Sequence, residues 1–249
     1  MIKKPEIRSY SSLSELSLAA AEFIAQLAEA RIKERGIFTF VLSGGTTPRL
    51  LYEELAKEPQ ASRVDWQRTH LFWGDERCVP SDSPDSNYAL ALLSLISKVD
   101  VPPSNIHRIL ATTGTPKAVA AGYETTLREF FQPSAERDPS KTFPSFDLVL
   151  LGMGTDGHTA SLFPGDVSLG EKTSWVVAVE GTEASPPVPR ITLTFPAINE
   201  AKCVLFLVSG SRKLKILQEI LNNPHTVTYP AARVQPAGKL LWFVDEGSA

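Results

Sequence analysis

Cysteine is scarce in this chain: Cys78 and Cys203 are the only thiols among 249 residues. Two thiols exclude a disulfide framework, and neither stands in a C-x-x-C pair that could hold zinc or exchange disulfides. Both are expected to be reduced and buried, which fits a cytoplasmic protein. Excess charge is missing as well. Lys and Arg number 25 against 28 Asp and Glu, a net charge of -3, so neither nucleic acid nor a membrane surface is an expected partner. No apolar run approaches the roughly 18 residues needed to cross a bilayer. The basic opening "MIKKPEIRSYSSLSEL" has no apolar stretch behind it, so no secretory signal is expected. Without a global field, an anionic substrate has to be held by a local cluster of basic residues.

What is present is alternation. Residues Ser14 to Arg35 carry Leu16, Ala20, Phe23, Ile24, Leu27 and Ala30 at helical spacing, and Gly36 stops them. "IFTFVL" (37–42), "THLFW" (69–73), "FDLVLL" (146–151), "SWVVAVE", "RITLTF", "CVLFLVSG" and "KLLWFVD" read as strands. Helices are expected after "SGGTTP", with Thr47 as cap and Pro48 in its first position; around Leu90, Leu93 and Ile96; from Thr115-Pro116 with Val119, Tyr123, Leu127 and Phe130 inward; and over Ser211 to Asn222. A polar connection spans Gln132 to Pro144, and Ser185 to Pro189 reads as a loop. Strands alternating with helices predict an α/β protein with a mostly parallel sheet covered on both faces. One domain over residues 1–249 is expected, and a monomer.

In such sheets ligands bind beyond the carboxyl ends of the strands. Four segments there carry chemistry. In "SGGTTPR", Gly44 and Gly45 let backbone approach a ligand, Ser43, Thr46 and Thr47 offer hydroxyls, and the following helix offers free N–H groups. Phosphate is the natural guest, although the G-K-[ST] of a Walker loop is absent and an ordinary capped turn would look the same. In "GDERCVP", Arg77 could pair with an anion or stabilise an oxyanion. Asp75 and Glu76 could orient Arg77 or bind hydroxyls, and a solvated charged turn is the alternative. The third segment, "LLGMGTDGHTASLFPG", spells G-x-G-x-x-G at Gly152, Gly154 and Gly157. It lacks the long helix and the distant acid of a dinucleotide site. The glycines, Gly154 and Gly157 among them, instead shape a tight loop whose backbone can contact substrate and which presents His158 as a general base, with Asp156 near enough to set its environment. His70 lies in a strand, and His107 and His225 lie in connections. The fourth segment is basic, Arg190 before "ITLTF" and Lys213 after "LVSG", and each alone could be a surface charge.

Taken in order, "LSGGTTPRLLY", "FWGDERCVP", "DSNY", "LLGMGTDGHTASLFPG", "RITLTFPAIN", "SGSRKLKIL" and "YPAARV" resemble the successive signature segments of the 6-phosphogluconolactonases. The resemblance implies a Rossmann-like three-layer α/β/α fold shared with glucosamine-6-phosphate deaminase and ribose-5-phosphate isomerase. It implies hydrolysis of 6-phospho-D-glucono-1,5-lactone, the second step of the oxidative pentose phosphate pathway, with no metal and no organic cofactor. It assigns His158 as the base, Ser43 to Thr47 to the substrate pocket, and Arg190 and Lys213 to the phosphate. Arg49 stands where many relatives have lysine, which differs in reach and fork geometry. The related deaminases continue D-G-H into F-N-E-P, whereas this chain has "SLFPG" and no acid before Asp166. A sugar-phosphate sensor would keep the pocket residues and have no need of His158. Ser43 is not in a G-x-S-x-G elbow, which argues against an acyl-enzyme.

Overall fold

Apolar runs buried on both faces set the architecture. The computed structural model describes residues 5–131, 143–181, 184–223, 226 and 228–245. Most of the polar connection expected over 132–144, and His225, lie outside them. The chain opens with β1 (Glu6–Tyr10) and α1 (Leu13–Arg35). Ser12 caps α1 by accepting the Glu15 N–H, and Gly36 ends it at φ 83°, a left-handed stop that suits glycine. β2 (Phe38–Leu42), α2 (Thr46–Leu55) and the short α3 (Gln60–Arg63) follow. β3 (Thr69–Trp73) and β4 (Asp75–Arg77) are separated by Gly74 alone. Next come α4 (Asn87–Ser94), β5 (Ile106–His107), α5 (Pro116–Phe131) and β6 (Leu148–Gly152). The remaining elements are β7 (Val176–Val179), β8 (Arg190–Leu193), α6 (Phe195–Asn199), β9 (Cys203–Ser209), α7 (Ser211–Asn222) and β10 (Lys239–Asp245).

Seven strands form one parallel sheet in the order β1-β10-β9-β6-β2-β3-β5. Every residue of β2 is buried, as is nearly all of β6 and β9, so both faces are covered. The strand order reverses between β2 and β6. The loops after these two strands therefore flank the crevice where open parallel sheets bind ligands. At the opposite end, Asp147 is fully buried. Its Oδ2 accepts from the Thr39 N–H and Oγ1–H, both at 2.9 Å, and Lys202 Nζ lies 3.3 Å from its Oδ1. That carboxylate ties β2 to β6 far from the crevice.

Several expectations need correction. "SWVVAVE" and "RITLTF" do not join the main sheet. Together with β4 they form a three-stranded antiparallel sheet, β4-β8-β7. The chain changes sheets at Gly74, whose N–H donates to Leu42 O while its carbonyl accepts the Leu193 N–H. Asp75 and Glu76 are therefore buried strand residues and not part of a solvated turn. α2 starts at Thr46 with Gly45 as its cap, because Gly45 at φ 101° reaches a conformation that Thr47 would resist. Pro48 is thus the third helical residue. Leu93 lies within α4 yet faces out, 71% exposed. Phe130 and Cys78 are half-buried, while Cys203 is buried, and both thiols are free. β1 and β5 were not anticipated, one a polar edge strand and the other two residues long. Among the described residues no helix is long and apolar enough to cross a membrane.

His70 and His107 are neighbours across β3 and β5. Their Nδ1 and Nε2 lie 3.1 Å apart, and the His107 ring stacks on Phe72 at 4.5 Å. Burial lowers both pKa values, and the adjacent His70 helps bring His107 down to about 4. The unfolded chain then binds more protons than the folded one between the ordinary value of 6.5 and 4, so stability falls as pH drops through that window. A melting-temperature profile should show this decline, and His107→Phe should flatten it. An unchanged slope in that variant would assign the acid sensitivity elsewhere.

Candidate active site

A cavity of about 440 Å³ opens at the crevice. Each expected site residue except Arg49 and Gly157 lines it: Ser43 to Thr47, Asp75, Arg77, Gly154, Asp156, His158, Arg190 and Lys213. Arg49 instead points along α2, where its Nε meets Glu53 at 3.1 Å, and its side chain is 64% exposed. Gly157 sits behind the loop. At φ 79° it presents its α-carbon to the Tyr229 ring, which a Cβ would strike, and its carbonyl accepts the Ala231 N–H.

The loop after β6 is wound tightly around its own backbone. Gly154 N–H donates to His158 O at 2.9 Å and Gly157 N–H to Gly154 O at 3.1 Å. Asp156 Oδ1 accepts the His158 N–H at 3.1 Å and lies 2.6 Å from the ring Nδ1. Burial is the strongest single influence on Asp156 and opposes its ionisation. The hydrogen bonds from His158 together outweigh it and hold the carboxyl below its ordinary range. An ionised carboxylate can only accept. The proton of a neutral His158 is therefore on Nδ1, and Nε2 keeps its lone pair. Gly154 is required here, because a Cβ would overlap the His158 ring and the Asp156 carboxylate. Gly154→Ala should lower turnover by at least about 10-fold with little change in melting temperature. Unaltered kinetics in that variant would show that the dyad geometry does not matter.

A buried polar network fixes the other wall. Glu76 accepts from Arg77 N, Asn87 N, Tyr88 N and Ser86 Oγ, all at 2.8 to 2.9 Å. Burial pushes its carboxyl up against the pull of those four donors. The network seats Asn87 at the start of α4. From there Asn87 Nδ2 donates to Asp75 O and Oδ1, and its amide fills the space a Cβ on Gly44 would need. Asp75 Oδ2 accepts from Ser161 Oγ at 2.7 Å. β4, the start of α4 and the loops after β2 and β6 are thereby locked together. Sequence reasoning passed over Asn87 and Ser161. The "DSNY" and "TASLFP" segments carried them, but their roles depend on partners distant in the chain.

The third wall is cationic. β4 and β8 pair in register with Arg77 opposite Arg190, a like-charge cross-strand pair that ordinarily destabilises a sheet. Arg190 is 3% exposed, and its Nη2 donates to Ser185 O at 3.0 Å and Pro186 O at 3.2 Å. Arg77 Nη1 donates to Asp85 O at 2.7 Å. The Nε of each arginine is buried without a protein partner. Burial first, then the Arg77 charge, pulls the Arg190 pKa below its ordinary value, with Asp75, Asp85 and Glu76 partly offsetting them. Burial also lowers the pKa of Lys213, at the start of α7, which among the described residues pairs with no carboxylate. Unspent donors and repelling cations around one cavity call for an anion. Among the described residues no group of three or more His, Cys, Asp or Glu is placed to hold a metal ion.

Comparison with known proteins gives this geometry a context. The chain is 44% identical over 218 residues to a 6-phosphogluconolactonase of Synechocystis sp., covering 86% of this chain and 85% of that one. It is 41% identical to 6-phosphogluconolactonase 3, chloroplastic, of Arabidopsis thaliana, over 98% of this chain and 74% of the relative. The crystal structure of 6-phosphogluconolactonase from Thermotoga maritima superposes with a TM-score of 0.84 at 34% identity, covering 98% of this chain and all of that one. The family model described as glucosamine-6-phosphate isomerases/6-phosphogluconolactonase matches residues 11–242, and the chain belongs to that family.

Proposed function

We propose that the protein hydrolyses 6-phospho-D-glucono-1,5-lactone to 6-phosphogluconate, the lactonase step of the oxidative pentose phosphate pathway, with His158 as general base. The observation that carries this reading is a His158–Asp156 dyad, 2.6 Å apart, in the lining of a cavity that Arg77 and Arg190 also line, each with a buried Nε that has no protein partner. The names of the relatives support the substrate.

The phosphoryl group is held by Arg190 and Lys213. The register that sets Arg77 against Arg190 supports Arg77 as the second jaw of the same clamp. The oxyanion role considered for Arg77 then falls to backbone N–H groups of the Gly44–Thr47 turn or the His158 loop. Ser43, Thr46, Thr47 and Asp75 meet the sugar hydroxyls, and Arg49 stays outside the pocket. With the phosphoryl end anchored, the lactone carbonyl lies beside His158. Nε2 takes a proton from water as the water oxygen bonds to C1. The carbonyl electrons move onto oxygen and return as the C1–O5 bond breaks. The imidazolium then gives its proton to O5, leaving the open-chain acid. A δ-lactone is an activated ester, so this needs an aligned water, a base and charge stabilisation, without an acyl-enzyme. The free thiols Cys78 and Cys203 support a reducing compartment such as the cytoplasm.

The direct test is enzymatic detection of 6-phosphogluconate released from the fresh lactone. The expected result is a rate far above spontaneous ring opening. A rate equal to the uncatalysed background would refute the assignment.

A further inference from the structure

The loop that carries His158 also carries Phe163, and no role for it follows from the dyad or the clamp alone. Its ring centroid lies 4.7 Å from that of His158 at a tilt of 47°. The guanidinium carbon of Arg190 lies 5.6 Å from the same Phe163 centroid. Phe163 is half-buried and lines the cavity. One aromatic ring therefore touches both the proposed base and the proposed phosphoryl ligand.

Its placement is costly and firmly held. Between the two aromatic positions the chain turns at Ala160, whose φ of 47° is the one positive value outside glycine among the described residues. Alanine there is strained. Thr159 Oγ1–H bonds to Gly152 O at 2.8 Å, Leu162 N–H to Thr159 O at 2.9 Å, and Ser161 Oγ–H to Asp75. These bonds fix the backbone that leads into Phe163. Arg190, by contrast, is held by two carbonyls and pushed by Arg77. The face of Phe163 adds a further restraint on its guanidinium, through the attraction of a cation for an aromatic ring.

We propose that Phe163 is a positioning residue that fixes the separation between the phosphoryl clamp and His158, and so couples phosphate binding to turnover. The proposal rests on the assignments of His158 and Arg190 above. Phosphoryl binding energy that only held the substrate would lower KM without raising kcat. A rigid spacer between anchor and base converts part of it into alignment of the carbonyl, which raises kcat. Deleting the spacer should leave the cations in place to bind phosphate while removing that alignment.

The experiment measures kcat and KM for 6-phosphogluconolactone and for unphosphorylated glucono-1,5-lactone in the wild type, Phe163→Ala, Phe163→Leu, Phe163→Tyr and His158→Ala, each with its melting temperature. In the wild type kcat should be higher for the phosphorylated lactone. Phe163→Ala should shrink that kcat ratio by at least about 10-fold while KM for the phosphorylated lactone changes by less than about 3-fold. Phe163→Leu, which keeps apolar volume but no ring face, should fall in between, and it serves as the test if the alanine variant does not fold. Phe163→Tyr should restore the ratio. A ratio unchanged in both the alanine and leucine variants overturns the proposal. So does an equal fall in kcat for both lactones, which would mean that Phe163 merely supports the imidazole, and so does a tyrosine variant without rescue. The His158→Ala arm separates the two claims. Retained kcat there would remove His158 as the base, whereas the kcat ratios across the Phe163 series judge the coupling on their own.

Discussion

Replacing His158 with alanine is expected to lower kcat for 6-phosphogluconolactone by about 100-fold or more, with a much smaller change in KM. A 100-fold loss corresponds to about 2.7 kcal/mol of transition-state stabilisation. The expectation follows from where the proton sits. Asp156 accepts from Nδ1 at 2.6 Å, so a neutral ring presents a basic Nε2 to the cavity. Ground-state contacts with the sugar come from other walls, which is why KM should hold. The side chain is about a third exposed, at 31%, so its loss should cost little stability. Because the lactone opens spontaneously, the measurement has to subtract that background. A variant that keeps wild-type turnover above background would dismiss the imidazole from the reaction. Asp156→Asn should move kcat in the same direction, since an amide cannot hold the proton on Nδ1 in the same way.

Arg190→Ala should raise KM for the phosphorylated lactone by about 100-fold, in line with the cost of truncating one partner of a buried charge pair. Turnover of glucono-1,5-lactone should barely change. Arg190 faces Arg77 across the ladder with its Nε unpaired, so relief of that repulsion should offset part of what its hydrogen bonds to Ser185 O and Pro186 O contribute to the ligand-free protein. Its melting temperature should stay near that of the wild type. The intact protein should gain melting temperature on adding 6-phosphogluconate, and the variant should lose most of that gain, because ligand stabilisation scales with affinity. Lys213→Ala should act in the same sense and more weakly, since Lys213 is half-buried and its ammonium is a point charge without the two-pronged geometry of arginine. Equal losses on both lactones would mean that Arg190 holds the fold and not the phosphate.

Much of this molecule can be read from its residues, for identifiable reasons. The runs at 38–42, 148–152, 203–209 and 239–245 are apolar without alternation because both faces of their strands are covered. α7 ran as expected, and α1 gained one residue at its start. The glycine-rich and charged loops stand out because they follow those strands. The small antiparallel sheet was hidden. Its strands are three or four residues long, and Asp75-Glu76-Arg77 looks like a turn until Asn87, Ser86 and Tyr88 arrive to satisfy Glu76. The pairing of Arg77 with Arg190 depends on register between distant segments and has no local signal. Asn87 precedes an expected helix without drawing notice, and only its contact with Gly44 and Asp75 makes it part of the pocket wall. Phe163 carries no signal of its own in the sequence, and its two neighbours give it a meaning. The sequence pattern thus locates strands and loops, while relations between loops emerge only on folding.

The most direct test of the central claim is a crystal structure with 6-phosphogluconate bound. The account predicts the C1 carboxylate beside His158 Nε2 and the phosphoryl group among Arg77, Arg190 and Lys213. A carboxylate on the far rim of the cavity, or a phosphoryl group seated against His158, would contradict it.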